Sequence, residues 1–275
     1  MLTIPSRPGT TNPISSLPGA AGLAGILPTA DECYAAARAL AQRLDAKLIE
    51  CPPPRGLYLA CSPEALWLRL RTPRRELAVR AQLSAGRQAY RADRASPRGE
   101  AIARACGLPR HGSRQVVDAT AGLGRDAHIL ARLGARVTLI ERSPVIFALL
   151  EDACERASHQ ASTLSWLARM RLIAGDAGAW LRACAAKERP QVVYLDPMYP
   201  RQTTRAAPGK EMQVLQALLG VVDTADTLLQ VAQQTASERV VVKRPRHAEP
   251  LAGEPPDYQI VGRSTRFDVY RSTPQ

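Results

Sequence analysis

From about residue 100 the chain alternates short β-branched and aliphatic runs with longer stretches of helical periodicity. Strands are predicted at 115–118, 136–141, 170–174, 191–196 and 239–243, with helices between them. That alternation is the signature of a parallel sheet covered by helices on both faces. A last pair of alternating segments, 258–262 and 266–270, flanks a polar turn and reads as an antiparallel hairpin closing the sheet. Upstream, the apolar runs 57–61, 66–70 and 77–79 are separated by Ser-Pro and Thr-Pro pairs and predict a small sheet. An Ala/Leu-rich helix is expected before it over 31–44, with Asp31 as N-cap.

The first 28 residues depart from both patterns, with Pro5, Pro8, Pro13, Pro18 and Pro28 interspersed with Gly9, Gly19, Gly22 and Gly25. Proline removes a backbone donor and glycine carries a high ordering entropy, so a flexible tail is expected. A secretory signal would need a more basic start and fewer breakers. The expected organisation is therefore a tail over 1–28, a separate small α+β lobe over 29–97 and an α/β domain over 98–275.

At 275 residues, with 45% hydrophobic and 23% charged positions, the chain has ample material for a folded core. It contains no apolar run of membrane-spanning length, so a soluble, cytoplasmic protein is expected. The six cysteines include no C-x-x-C pair, and the four histidines show no ligand spacing, so neither a disulfide framework nor a metal site is expected. The net charge of +12 favours a polyanionic partner. Nine arginines against Glu76 and Asp93 place a local excess of seven positive charges within positions 69–98. Such a stripe can hold phosphates, although a solvated arginine-rich surface has the same composition.

Candidate chemistry gathers at strand ends, where open α/β sheets bind ligands. Asp118, Glu141 and Asp196 each end a predicted strand. Gly122 and Gly124 follow the first and open a helix, allowing the backbone to approach a ligand without a Cβ clash. With Ala127 the loop also fits G-x-G-x-x-A, so a dinucleotide-binding NAD-dependent dehydrogenase is the rival enzyme. Glu141 accepts from ribose hydroxyls in either case. Asp118 separates the two, since a carboxylate beside the loop attracts a sulfonium or ammonium and repels a pyrophosphate.

Asp126, after Arg125, either caps the helix or holds the ligand's amino acid portion, and Asp176 either takes an adenine amine or caps its own helix. Asp196-Pro-Met-Tyr-Pro200 is stiffened by Pro197 and Pro200. There Asp196 can orient an exocyclic amine while Tyr199 offers a stacking face for a base. Lys243 and Arg244 end the fifth strand, where they either contact RNA phosphate or support the loop. An RNA-binding protein without chemistry is the non-enzyme alternative, supported by charge alone.

These pieces resemble the bacterial small-subunit ribosomal RNA guanine-N2 methyltransferase family (RsmJ). The resemblance lies in Arg98-Gly-Glu100, Val117-Asp-Ala-Thr-Ala-Gly-Leu-Gly-Arg-Asp-Ala127, Leu139-Ile-Glu-Arg-Ser-Pro144, Pro190-Gln-Val-Val-Tyr-Leu-Asp-Pro-Met-Tyr-Pro200, Lys210-Glu-Met212, Val240-Val-Val-Lys-Arg-Pro245 and Arg266-Phe-Asp-Val-Tyr270, in order. It implies a class I, Rossmann-like seven-stranded methyltransferase sheet and methyl transfer to the exocyclic N2 amine of a guanosine in ribosomal RNA or the small subunit. It implies S-adenosylmethionine contacts at Arg125, Asp126, Glu141, Arg142, Asp176, Ala177 and Asp196, and RNA contacts around Arg98. The family often carries serines at Asp176-Ala177, typically phenylalanine at Tyr199, and glycines ahead of Arg98.

Overall fold

A computed structural model describes residues 22–84, 94–111, 113–197, 209–220 and 225–272. Two sheets form the molecule. The first contains β1 (Leu23–Pro28), β2 (Gly56–Ser62), β3 (Ala65–Arg71) and β4 (Glu76–Val79), in that spatial order. β1 runs parallel to β2, and the other pairs are antiparallel hairpins. The second contains β5 (Gln115–Asp118), β6 (Arg136–Glu141), β7 (Met170–Ala174), β8 (Val192–Leu195), β9 (Arg239–Pro245), β10 (Tyr258–Val261) and β11 (Thr265–Arg271). Its order is β10-β11-β9-β8-β5-β6-β7, with β5 to β9 parallel and the final hairpin antiparallel.

Two expectations for the N-terminal region are corrected. β1 lies inside the stretch expected to be a tail, and the remainder of that stretch, 1–21, falls outside the described residues. An edge strand tolerates Pro28 because its outward side needs no ladder donor, and a register irregularity between Leu23 and Ile26 accommodates Gly25. Asp31 is not an N-cap: Asp31–Cys33 forms a 3-10 turn ahead of the α-helix Tyr34–Leu44, and neither start carries a side-chain cap bond.

The small lobe has its own sheet but not its own core, contrary to the expected separate unit. Leu59, Leu68 and Leu83 belong to the same buried apolar cluster as Ile102, Leu139 and Leu150. Helices Pro144–Ser158 and Lys210–Leu219 supply the join by packing on β3, and the second also on β4. Ser143 fixes the start of the former by accepting from the Ile146 amide at 3.4 Å, with Pro144 in the first turn. The Arg156 Nη2 donates across the lobes to the Ala81 carbonyl at 2.7 Å. The cysteines are free thiols, with Cys33, Cys61 and Cys106 buried.

Candidate active site

Strand order reverses at β5: the chain proceeds outward through β6 and β7, then returns to β8 on the other side of β5. The carboxyl ends of β5 and β8 therefore form the crevice in which ligands bind in such sheets. Asp118 ends β5, Asp196 follows β8, Glu141 ends β6, and Lys243 lies near the end of β9.

The loop after β5 is held by backbone geometry. Gly122 and Gly124 have φ of 52° and 73°, the left-handed region that penalises a Cβ. Their roles differ from the shared one expected of them. A Cβ at Gly122 would meet only the Thr120 carbonyl oxygen, at 3.8 Å, leaving open space in front of the loop. One at Gly124 would lie 2.6 Å from Leu150 Cδ1, so Gly124 permits close packing of the loop on helix Pro144–Ser158 rather than ligand approach.

Glu141 is fixed from two sides. Its Oε2 accepts from the Gly122 amide at 2.9 Å and its Oε1 from the Ser143 amide at 2.8 Å. Burial raises its carboxyl above the usual range, against the pull of these amides. A carboxylate so anchored presents its remaining lone pairs to a ribose diol without reorganising. Glu141→Ala should therefore weaken S-adenosylmethionine binding by about 10–100-fold, the loss of one to two charge-assisted hydrogen bonds, and should also lower the melting temperature, since the Gly122 and Ser143 amides lose their acceptor. Calorimetric titration checks this, and unchanged affinity contradicts the assignment.

At the β5–β8 crevice the side chains converge on Lys243. Its Nζ donates to Asp126 Oδ2 at 2.7 Å and to Asp196 Oδ2 at 2.9 Å. The Tyr194 hydroxyl donates to the same Asp126 oxygen at 2.6 Å. Burial pushes the Tyr194 hydroxyl well above its ordinary value, so it remains a donor. The Asp196 backbone amide donates to Thr120 Oγ1 at 2.6 Å, tying the end of β8 to the loop after β5. Withdrawal of water raises the Asp196 carboxyl even though 40% of the side chain is exposed, and Lys243 opposes the rise. The ammonium of Lys243 is raised by Asp126 and Asp196 against its own burial.

Asp118 does not line the open crevice, as the expectation of a sulfonium partner requires. It is 2% exposed, and its Oδ1 accepts from the Thr120 amide at 3.1 Å. Burial pushes its carboxyl up to about 8, with Asp126 and Asp196 adding to the rise. A folded value above the unfolded one means that the native state holds a proton the unfolded state has released. Its stabilisation is complete below about pH 4, falls by up to about 1.4 kcal/mol per pH unit, and is gone once pH passes the folded value. Chemical denaturation between pH 5.5 and 8 should thus show a shallower stability loss in Asp118→Asn than in the wild type. Equal slopes contradict a protonated Asp118.

The other expected residues are distributed as follows. Asp126 lies in the first turn of helix Arg125–Arg132 without capping it, since Gly124 is the N-cap and no side-chain bond is made there. Arg125 pairs with Glu211 of helix Lys210–Leu219. Asp176 takes the capping role, its Oδ1 accepting from the Ala179 amide at 2.7 Å, while Ala177 is buried behind it. Arg142 is exposed beside Glu141, and Arg98 is exposed in the turn before helix Ala101–Ala105.

Lys243 and Arg244 do not present themselves to RNA phosphate. Lys243 is bound within the crevice, and Arg244 is 5% exposed with Nε donating to the Glu249 carbonyl at 2.9 Å. Strand alternation sends their side chains to opposite faces, one to the site and one under the following turn. Pro197 is partly buried at the crevice; Tyr199 lies outside the described residues, as do Arg87, Arg91 and Asp93 of the arginine stripe.

Thr120 and Tyr194 are site residues that the sequence reading missed. Both had a signal: Thr120 lies inside the glycine motif, and Tyr194 stands two residues before Asp196, on the same side of the strand.

The donor set fits S-adenosylmethionine. Among the described residues, Asp126 and Asp196 face the one ammonium of Lys243, and with Asp118 pushed up to about 8 by burial this cluster carries a net negative charge suited to a sulfonium. A pyrophosphate would meet the same carboxylates unfavourably.

Comparison with known proteins gives a consistent result. A family model of SAM-dependent methyltransferases matches residues 40–272. The chain is 50% identical over 255 residues to Ribosomal RNA small subunit methyltransferase J of Alkalilimnicola ehrlichii, covering 90% of this chain and 95% of that one. It is 46% identical over 234 residues to the protein of the same name from Thioalkalivibrio sulfidiphilus, covering 85% and 92%. The crystal structure of a SAM-dependent methyltransferase from Neisseria gonorrhoeae superimposes with a TM-score of 0.71 at 38% identity, over 90% of this chain and 96% of that one. The Rossmann-like class I fold is thereby established, and the dehydrogenase reading falls.

Proposed function

The chain belongs to the Ribosomal RNA small subunit methyltransferase J family, and from that membership we propose that it methylates the exocyclic N2 amine of a guanosine in small-subunit ribosomal RNA. The observation that carries the chemistry is the Lys243 bridge holding Asp196 at the end of β8, beside the glycine loop. When bound, S-adenosylmethionine supplies an electrophilic methyl carbon on a sulfonium sulfur.

The amine of guanine is a poor nucleophile because its lone pair is delocalised into the ring, so it must be positioned. Asp196 accepts one amine hydrogen, turns the nitrogen lone pair toward the methyl carbon, and receives the proton released as the N–C bond forms and the S–C bond breaks. Thr120 fixes the Asp196 backbone, Lys243 fixes its side chain, and Pro197 restricts the loop that follows. Tyr199 supplies the stacking face for the base. Glu141 holds the ribose of the donor, Asp126 and the Asp176 oxygen not used in capping its helix are offered to the donor's remaining polar groups, and Arg98 contacts RNA. The work is done where ribosomal subunits are made, in the cytoplasm; among the described residues no helix is long and apolar enough to cross a membrane.

Radiolabelled methyl transfer to small subunits from a strain lacking this protein tests the reading. Digestion should release N2-methylguanosine as the labelled nucleoside; a different labelled nucleoside, or none, overturns it.

A further inference from the structure

On the outer face of the N-terminal sheet, a cleft of about 590 Å³ opens beside the β3–β4 turn. Arg69, Arg71 and Arg75 line it against a single carboxylate, Glu76, and Pro52, Pro54 and Pro73 stiffen its walls. Glu76 is already engaged: it accepts from the Tyr58 hydroxyl and from Arg69 Nη1, both at 2.8 Å. The cleft therefore retains a positive excess. Trp67, Arg69 and Arg71 alternate along β3 on this outer face, roughly 6.6 Å apart, with the Arg80 guanidinium 4.6 Å from the centre of the Trp67 ring.

The cleft is mechanically joined to the methyl-transfer site. Arg75 Nη2 donates to Gln213 Oε1 at 2.7 Å, and Glu211 of the same helix pairs with Arg125, which follows the glycine loop. Two residues along a helix are separated by about 3 Å of rise. One turn of helix Lys210–Leu219 thus contacts both the lining of the cleft and the entry to the cofactor loop.

We propose that this cleft is a docking site for the sugar-phosphate backbone of the RNA substrate, with Arg71 and Arg75 as its phosphate contacts. The proposal rests on the reading of the chain as a ribosomal RNA methyltransferase. Guanidinium groups on a rigid strand and turn suit phosphodiester oxygens, which accept their planar N–H pairs. The anchored helix sets the register between the bound strand and the crevice. A protein partner would be expected to bring apolar anchors, for which this polar cleft offers little.

Fluorescence anisotropy with an unmodified, transcribed small-subunit ribosomal RNA, repeated over a range of KCl concentrations, tests the site. Arg71→Ala/Arg75→Ala should bind at least about ten-fold more weakly, and its log–log salt slope should be shallower by about 1.5, since two phosphate contacts are lost. The doubly lysine-substituted protein should regain most of that slope. Arg71→Ala alone should lose about half the effect, which guards against misfolding of the double variant. An unchanged slope in Arg71→Ala, or weaker binding without any change in slope, overturns the proposal. Because the readout is binding, a wild type that bound RNA through these arginines yet methylated no guanosine would overturn the reading of the reaction and leave the cleft standing.

Discussion

Asp196→Ala should reduce methyl transfer by at least about 10³-fold while leaving the protein folded. The carboxylate is asked both to orient the amine and to receive its proton, contributions worth about 10²–10⁴-fold when one group supplies them. Little stability depends on it. The side chain is 40% exposed, and its removal ends the cost of its burial and its repulsion with Asp126, against the loss of one of the two carboxylates paired with Lys243. The melting temperature should therefore be unchanged or slightly higher, the pattern expected when a site holds like charges together for function. Single-turnover assays with saturating S-adenosylmethionine and RNA isolate the chemical step. Asp196→Asn sharpens the test, since it retains an acceptor oxygen and loses the charge; it should keep part of the orientation and none of the proton acceptance. Near-normal turnover in Asp196→Ala would remove the residue from the reaction.

Much of this site could be read from the sequence because strand ends are local signals. β5, β6 and β7 coincide with the predicted runs to the residue, and Asp118, Glu141 and Asp196 stand at strand ends as expected. Partnerships across long sequence separations were not legible. Lys243 and Asp126 are 117 residues apart, and nothing in either segment names the other. Sheet register brings the second partner: Leu195 lies opposite Val242, which sets Asp196 level with Lys243 across β8 and β9, while Asp126 arrives on the helix that follows the glycine loop. β1 was missed for the opposite reason. Its proline and glycines argue locally against a strand, and tertiary pairing with β2 overrides them. Asp118 was placed correctly along the chain, but burial, which no motif encodes, turns its charge off and makes it a support for Thr120.

Lys243→Met distinguishes the two roles that sequence and structure assign to that lysine. It keeps the apolar stem of the side chain and removes the ammonium that bridges Asp126 and Asp196. Losing one partner of a largely buried ionic cluster costs about 3–5 kcal/mol. With the lysine side chain 26% exposed, solvent screening reduces that to about 1–3 kcal/mol here. The catalytic effect should be larger, about 10²-fold or more, because Asp196 loses its orientation and part of its charge.

The sign of the accompanying pH shift follows from the electrostatics. Lys243 lowers the Asp196 carboxyl, so its removal lets that carboxyl rise, and the acid limb of the kcat profile should move to higher pH. Activity should then recover partly as pH increases. Lys243→Arg should recover little, since a planar fork on a longer stem does not converge on the same two oxygens. A phosphate-binding lysine behaves differently: its loss raises the KM for RNA and flattens the salt dependence by about one contact, with no movement of the pH profile. A shifted acid limb with an unaltered salt slope places Lys243 inside the reaction; an altered slope with a fixed limb returns it to the RNA surface.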